Sequence, residues 1–285
     1  MTDGKHVVYQ GEPGAFSEEA VLGFFGEARE RAAVPTWRAV FEAVADGSAQ
    51  AGVIAIESSL AGTIRETYDL LAEFYDRDIR IVGEVAVPVR LALLALPGQS
   101  LDWIERVYSH AQALVQADAF LRSRDWQVMT TYNTAGAARM IAERRERRAA
   151  AIASPRVAEL YGLEILANDI QAGEENRTRF AVLARTTDAI VPRVEVGTPY
   201  RTTLVFAVRN VPGSLHRCLG AFAARGVNLS SLESRPARRA RWEYVFWVDV
   251  DAAVDDPACA AALTDLRAET EMVRVLGSFP RAAEA

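Results

Sequence analysis

The order of strand-like and helix-like segments changes after Arg185, and this change limits the fold more than any other feature of the 285-residue chain. Before that point, short apolar segments alternate with amphipathic ones, which predicts an α/β unit with a largely parallel sheet. After it, the order is βαββαβ, which is typical of a ferredoxin-like unit. The strands of this second part are predicted over 203–208, 227–233, 244–250 and 272–276, and its helices over 212–226 and 257–268. The sequence therefore predicts two domains.

Small polar residues follow each apolar segment of the first part. These junctions stand at residues 11–14, 57–59, 109–110, 133–134 and 154–155. The carboxyl ends of parallel strands meet at one edge of a sheet, where helix N-termini attract anions. For one junction alone, a helix cap is the simpler explanation. Five together predict a pocket for a small ligand that carries carboxylates.

Composition excludes several classes of function. The formal net charge is −6, which disfavours nucleic-acid and anionic-membrane surfaces, and we expect the basic runs at 144–148 and 235–241 to be solvated. Two cysteines, Cys218 and Cys259, are too few for a disulfide framework. The N-terminus lacks an apolar signal segment, and no uncharged stretch is long enough to span a bilayer. We therefore expect a cytoplasmic protein that binds neither nucleic acid nor membrane.

The sequence also lacks the motifs of metal and cofactor chemistry. Its three histidines, His6, His110 and His216, are far apart and have no cysteine or carboxylate at ligand spacing. There is no G-x-S-x-G elbow and no P-loop, and residues 11–14 do not form a dinucleotide fingerprint. We expect neither a metal nor a cofactor.

Six segments, in order along nearly the whole chain, carry a resemblance to a known family. Four of them are YQGEPGAFS at 9–17, IESSLAG at 56–62, SHAQAL at 109–114 and NRTRF at 176–180. Together these four resemble the signature segments of prephenate dehydratases. The other two, GSL at 213–215 and NLSSLESRP at 228–236, are similar to the paired motifs of that family's ACT regulatory domain.

The resemblance implies an architecture and a reaction. The architecture is a catalytic α/β domain over residues 1–187, two-lobed like a type II periplasmic binding protein, followed by a ferredoxin-like ACT domain over 200–280. Lobe 1 is expected at 1–86 and 174–187, and lobe 2 at 87–173. The reaction converts prephenate to phenylpyruvate in L-phenylalanine biosynthesis, with loss of carbon dioxide and water. Because aromatisation of the ring drives this reaction, it fits a chain without cofactor motifs.

Three residues are implied as catalytic: Thr178, Glu57 and Gln112. Thr178 takes the main part, and because a free threonine hydroxyl is a poor acid at neutral pH, we interpret it as an orienting donor or proton relay. Glu57 lies just past an apolar strand and is a candidate general acid, although an ordinary carboxylate near a helix N-terminus explains it equally well. Gln112 matches a glutamine that contacts the substrate in the family.

A wider set of residues is implied in substrate binding. It comprises Ser58, Ser59, Gly62, Ser109, His110, Thr134, Asn176, Arg179 and Phe180. If residues 177–184 form a strand, Thr178 and Phe180 share a face and Arg179 points away, which favours a structural role for Arg179. The chain departs from the family at Ser58, which replaces an asparagine and keeps a donor and an acceptor but has a shorter reach.

In the ACT domain, the resemblance implies a phenylalanine site between subunits. Its residues are Asn210, Pro212, Gly213, Ser214, Leu215, Asn228, Leu229, Glu233, Ser234 and Arg235. Ser214 stands where the family usually has alanine. Feedback then requires two conformations with different affinity for L-phenylalanine, and the resemblance predicts a homodimer or homotetramer.

Three functional hypotheses follow. The first is a prephenate dehydratase under feedback regulation by phenylalanine. The second is an arogenate dehydratase, because TAGAA at 134–138 and LYGL at 160–163 are also similar to the plant-type enzymes, whose substrate carries an amino acid side chain in place of the keto acid. The third is a non-catalytic amino-acid-sensing binding protein, and the presence of Glu57, Gln112 and Thr178 together argues against it.

Overall fold

The computed structural model describes residues 6–173, 176–188, 190, 197–236 and 244–282. The chain forms two compact units. The first comprises Met1–Thr67 and Val85–Phe180, and the second comprises Tyr68–Glu84 and Ala181–Ala285. The predicted domains, 1–187 and 200–280, divide the chain along its sequence instead, and they stay a prediction. Residues 237–241 of the second basic run lie outside the described residues.

The chain begins with a parallel sheet. In chain order its first elements are β1 (Val7–Gln10), α1 (Phe16–Phe25), β2 (Arg31–Val34), α2 (Trp37–Ala45), β3 (Ala51–Ser58), β4 (Gly62–Thr63), α3 (Arg65–Glu73) and β5 (Ile79–Pro88). Strands β2 and β3 both pair with β1 in parallel, with Val7 opposite Arg31 and Ala51. The short β4 pairs antiparallel with the end of β3, so that Ser58 faces Gly62.

A second sheet follows within the first unit. Its elements are β6 (Ala92–Ala95), β7 (Arg106–His110), α4 (Ala111–Gln116), α5 (Asp118–Leu121), β8 (Gln127–Thr131), α6 (Thr134–Arg144), β9 (Ala149–Ala153), α7 (Arg156–Tyr161) and β10 (Glu164–Ala167). The strand order is β10-β6-β9-β7-β8. Strand β7 pairs in parallel with both β8 and β9, as the sequence predicts, while β6 and β10 run antiparallel to their neighbours.

Two chain crossings join these sheets and make the first unit two-lobed. The chain leaves the first sheet after β5 and returns to it in β11 (Arg177–Arg185), which lies beside β3. Where the two crossings meet, the Val89 backbone N–H donates to the Asn176 carbonyl oxygen at 2.7 Å. The predicted two-lobed α/β architecture is confirmed.

Small apolar side chains fill the core of the second lobe. The central strand β9 has the sequence AAAIA, and all five residues are fully buried. Ala149, Ala151 and Ala153 pack with residues of α6 and α7, whereas Ala150 and Ile152 pack with residues of α4. A strand covered on both faces is expected to lack the apolar–polar alternation of a half-exposed strand.

The second unit contains the predicted ferredoxin-like module. Its elements are β12 (Tyr200–Val208), α8 (Ser214–Ala223), β13 (Leu229–Pro236), β14 (Tyr244–Val250), α9 (Pro257–Glu269) and β15 (Met272–Pro280). The strands pair antiparallel in the order β13-β14-β12-β15. The core formed with α8 and α9 includes Phe206, Phe222 and Phe246, and both cysteines are buried there as thiols. The βαββαβ prediction is confirmed.

Within the described ranges, no helix combines the length and the apolar character that a membrane-crossing helix needs.

Candidate active site

A cavity of about 360 Å³ lies between the two lobes of the first unit. It is lined by Gln10, Ala15, Phe16, Ser17, Trp37, Ala55, Ser58, Ala61, Ile64, Val89, Leu91, His110, Gln112, Ala113, Gln116, Tyr132, Asn133, Thr134, Thr178 and Phe180. Both lobes contribute to this lining, and so does the first chain crossing through Val89 and Leu91. A small ligand in the cavity would therefore contact both lobes at once.

Three of the five predicted polar junctions contribute a lining residue to this cavity, namely Ser58, His110 and Asn133. Residues 11–14 of the first junction are not in the lining, although Gln10 and Ala15 on either side of them are. The fifth junction, at 154–155, was wrongly placed, because it lines a separate cavity of about 350 Å³ with residues of α1. Strand β9 is central in its sheet, and Pro88 and Arg90 of the crossing also line this second cavity. The sequence reveals that a strand ends, but not what lies beyond its end.

Three helices begin at the cavity. Phe16, Gln112 and Thr134, from the first turns of α1, α4 and α6, all line it. The first backbone N–H groups of a helix have no partner within the helix, and they carry a partial positive charge. Among the described residues that line the cavity there is no lysine, arginine, aspartate or glutamate. The cavity is therefore suited to anions held by dipoles and neutral donors.

His110 caps one of these helices. Its Nδ1 accepts from the Gln112 backbone N–H at 3.3 Å, which leaves the proton of the neutral ring on Nε2. Burial lowers the pKa of His110 below its ordinary value. At neutral pH the ring is therefore neutral, and Nε2–H is a donor. This favours a binding role over a role as general acid, and the binding role predicted for His110 stays a prediction.

Strand β11 places Thr178 and Arg179 on different faces, as the alternation predicts. Thr178 and Phe180 line the cavity, and Arg179 does not. The Arg179 guanidinium is instead 3.0 Å from the carboxylate of Glu57, which lies outside the cavity lining. Glu57 and Arg179 thus hold each other at the start of β11, outside the cavity lining. The general-acid role of Glu57 stays a prediction.

The remaining predicted residues divide into two groups. Ser58, Gln112 and Thr134 line the cavity with His110, Thr178 and Phe180, and the Ser58 hydroxyl accepts from the backbone N–H groups of Leu60 and Ala61 at 3.4 and 3.3 Å. Ser59, Gly62, Ser109 and Asn176 lie outside the lining.

Two of the residues outside the cavity hold strands together. Ser59 bonds Arg177 twice, through its hydroxyl at 3.0 Å and its backbone N–H at 2.9 Å, and so ties the loop after β3 to β11. The fully buried Ser109 donates to the Ile152 carbonyl oxygen at 2.6 Å, across β7 and β9. Asn176 is 2% exposed, and its side-chain amide has no hydrogen-bond partner among the described residues.

Several lining residues were missed by the sequence analysis. Ser17, whose hydroxyl donates to the Gln10 carbonyl oxygen at 2.5 Å, lies within the first signature segment, so its position was a usable signal. Asn133, by contrast, belongs to the predicted junction at 133–134, and its Oδ1 accepts from the Gly136 N–H at 3.0 Å as a helix cap does. Trp37 and Tyr132 carry no local signal, because their inclusion depends on how the lobes meet.

The predicted effector residues form two segments of the second unit. Gly213 precedes α8 with a φ of +83°, a conformation that favours glycine, and Asn210 and Pro212 are exposed beside it. Ser214 is buried, and Leu215 packs against the module's core. At the start of β13, the Asn228 amide donates to the Asp251 carboxylate at 2.7 Å.

Further along β13, Arg235 is enclosed rather than open to solvent. It is 8% exposed, and its guanidinium lies over the rings of Tyr68 and Trp247 at 5.4 and 5.9 Å. Its Nε is 2.9 Å from the Glu233 carboxylate. Leu229 is half-buried and Ser234 exposed on the same strand. Since Glu233 and Arg235 bond each other, Asn228 and Ser234 are the more accessible polar groups of this segment.

Comparison with protein families identifies both parts of the chain. The family model for prephenate dehydratase matches residues 7–188, and the model for the ACT domain matches residues 202–268. The chain belongs to the prephenate dehydratase family. The resemblance seen in the sequence is thus confirmed.

Individual relatives of this family member carry different functional names. Arogenate dehydratase 1 of Petunia hybrida is 41% identical over 96% of this chain, which spans 66% of the petunia protein's length. The solved prephenate dehydratase of Arthrobacter aurescens, in complex with L-Phe, is 31% identical with a TM-score of 0.86, covering 97% of this chain and 90% of the other. The structure of GqqA, described as a novel type of quorum quenching acylase, is 33% identical with a TM-score of 0.86 and covers 98% of both chains.

Proposed function

We propose that this protein catalyses the decarboxylating dehydration of prephenate to phenylpyruvate and is inhibited by L-phenylalanine. One observation carries the proposal: the Thr178 hydroxyl lies in a cavity where three helices begin and no charged lysine, arginine, aspartate or glutamate is among the described lining residues. Prephenate carries two carboxylates and a ring hydroxyl. Helix N-termini and neutral donors suit the carboxylates, and a hydroxyl donor suits the leaving group.

The proposed chemistry needs only positioning and one proton. The bond from the ring to the departing carboxylate breaks, and its electron pair enters the ring as the ring carbon–oxygen bond breaks. The leaving hydroxide takes a proton and departs as water, while the carboxylate departs as carbon dioxide. Thr178 donates a hydrogen bond to the leaving oxygen and relays to it a proton taken up from solvent water, since a threonine hydroxyl is too weak an acid to supply the proton outright.

The lining of the cavity favours prephenate over arogenate. Arogenate carries an ammonium group where prephenate has a keto oxygen, and a buried ammonium group needs an acidic partner. No aspartate or glutamate is among the described lining residues, whereas Gln112 and the His110 Nε2–H are donors that suit a keto oxygen. Arogenate is the alternative substrate, because the petunia relative is named an arogenate dehydratase.

We expect purified protein to convert prephenate with a kcat/KM at least about tenfold higher than that for arogenate, corresponding to the ~1.4 kcal/mol of one unmade charge contact. The two reactions are followed by phenylpyruvate and phenylalanine formation. An acyl-amide substrate is assayed beside them, because the GqqA relative is described as an acylase. Turnover of neither cyclohexadiene substrate would overturn the proposal, and hydrolysis of the amide alone would replace it with an acylase function.

We also propose that L-phenylalanine acts through the ACT domain. The L-Phe complex of the Arthrobacter relative and the match to the ACT model support this. The homodimer or homotetramer and the cytoplasmic location expected from the sequence stay predictions.

L-phenylalanine is expected to inhibit the wild-type chain, and Asn228→Ala is expected to raise the half-inhibiting concentration about tenfold, since it removes a charge-assisted hydrogen bond at the start of β13. Initial rates at increasing L-phenylalanine give both values. Asn168→Ala, which changes an exposed asparagine of the catalytic part, is the matched control and should respond like the wild type. An unchanged response of Asn228→Ala would remove Asn228 from the effector site.

A further inference from the structure

Three side chains connect the lobes where the cavity meets solvent. Tyr132 lines the cavity, is 68% exposed, and donates its hydroxyl to the Glu12 carboxylate at 2.9 Å. Arg139 of α6 lies 2.8 Å from the same carboxylate. Glu12 belongs to the loop after β1 in lobe 1, and both partners belong to lobe 2. We call these three residues the Glu12 cluster.

The loop that carries Glu12 approaches lobe 2 too closely for side chains. A Cβ atom on Gly14 would lie 2.8 Å from Cγ2 of Val157, and one on Gly11 would lie 2.9 Å from Nδ2 of Asn133. Both glycines also have positive φ, +88° and +123°. Nearby, the Tyr161 hydroxyl donates to the Pro13 carbonyl oxygen at 2.9 Å. The lobes are therefore in direct contact along this loop.

Tyr132 packs against Gly136, where a side chain would collide with the Tyr132 ring. A Cβ atom there would lie 2.6 Å from the Tyr132 hydroxyl oxygen. Burial and the hydrogen bond to Glu12 raise the pKa of Tyr132, so its hydroxyl stays protonated and remains a donor across the neutral range. The Arg139 Nη2 donates to the same hydroxyl oxygen at 3.4 Å. The ring is thus held in one position at the cavity.

The Glu12 cluster contains an ion pair that is only partly exposed to solvent. The Glu12 side chain is 18% exposed and that of Arg139 is 38% exposed. A half-buried carboxylate that accepts from both a guanidinium and a phenol contributes more than an exposed surface pair. Separating the lobes would break both bonds together.

We propose that Glu12, Tyr132 and Arg139 are positioning residues, which hold the lobes closed so that Thr178 and Ser58 of lobe 1 and His110, Gln112 and Thr134 of lobe 2 contact one substrate molecule. The proposal rests on the proposed function for its substrate. Because a ligand that needs the closed form binds in proportion to its population, weakening the cluster lowers apparent affinity and leaves the chemistry of the closed form unchanged.

Steady-state kinetics with prephenate test this in the full chain. Glu12→Ala and Arg139→Ala are each expected to raise KM about tenfold with kcat within about twofold, and Tyr132→Phe to raise KM about threefold. The double variant Glu12→Ala/Arg139→Ala should have a KM close to that of the worse of its two single variants, because either substitution alone already breaks the Glu12–Arg139 ion pair. Glu159→Ala, on an exposed face of α7, is the control and should match the wild type. Unchanged KM in the single variants, or fully additive effects in the double variant, would overturn the proposal.

A distance measurement tests closure without any turnover. Spin labels at Ser48→Cys in lobe 1 and Ser123→Cys in lobe 2 replace exposed serines, while native Cys218 and Cys259 are buried. Pulsed dipolar spectroscopy, with labelled protein diluted in unlabelled protein, should give a narrow distribution that becomes longer and broader with Glu12→Ala. Identical distributions would contradict closure by the cluster. Failure of the proposed function alone would abolish turnover and leave this difference in place.

Discussion

Thr178→Ala is expected to lower kcat for prephenate by about a thousandfold and to change KM by less than about threefold, because it removes a donor needed chiefly as charge develops on the leaving oxygen. Thr178 lies on β11 with its side chain in the cavity. No aspartate, glutamate or lysine is among the described lining residues to replace it as a proton donor. The loss is measured from initial rates of phenylpyruvate formation, corrected for the uncatalysed rate.

Two variants separate chemistry from folding. Thr178→Ser keeps a hydroxyl and should retain activity within about tenfold of the wild type, since it loses only the methyl group that fixes χ1. Thr187→Ala removes an exposed threonine shortly after the same strand and should be neutral. Thr178→Ala should unfold at the wild-type denaturant concentration. Activity of Thr178→Ala near that of the wild type would exclude Thr178 from the mechanism.

The sequence alone was sufficient to predict the features of the site that depend on a few neighbouring residues. Strand alternation in β11 predicted that Thr178 and Arg179 lie on different faces, and the structure has Thr178 in the cavity and Arg179 bonded to Glu57. Helix-cap residues predicted which strand ends carry polar groups. These properties follow from backbone periodicity over a few residues, so no knowledge of distant contacts is needed.

The sequence was insufficient where distant segments meet. The position of Glu57 after a strand fits a general acid and an ordinary carboxylate equally well, and its contact with Arg179 of the neighbouring strand β11 could not be read from that position. Glu12 and Tyr132 are 120 residues apart, and nothing local to either indicates the other. The same limit applies to Arg235, whose neighbours Tyr68 and Trp247 come from distant parts of the chain. Pairing of this kind is fixed by tertiary packing and not by local pattern.

A further product of tertiary packing is a buried ion pair in the second unit. The Arg201 Nη1 donates to both carboxylate oxygens of Glu84, at 2.9 and 2.7 Å, and the two side chains are 8% and 2% exposed. Asp249, 3% exposed, lies 3.8 Å from the Arg201 Nε and accepts from the Thr203 hydroxyl at 2.6 Å. Residues 68–84 are thereby tied to the ferredoxin-like module, and Arg274 adds a 3.0 Å bond to Asp76.

Arg201→Met is expected to lower the free energy of unfolding by about 3–5 kcal/mol, because it leaves the Glu84 carboxylate buried without its cation. The measurement is equilibrium unfolding in urea, followed by near-ultraviolet circular dichroism. The double variant Glu84→Gln/Arg201→Met should recover about half or more of the loss, since it removes the uncompensated charge as well. Arg209→Met, at an exposed position just after the same strand, is the matched control and should stay within about 0.5 kcal/mol of the wild type. If Arg201→Met lowers the free energy of unfolding by less than about 1 kcal/mol, water must solvate the Glu84 carboxylate in the variant. The Arg201–Glu84 ion pair would then have no structural role.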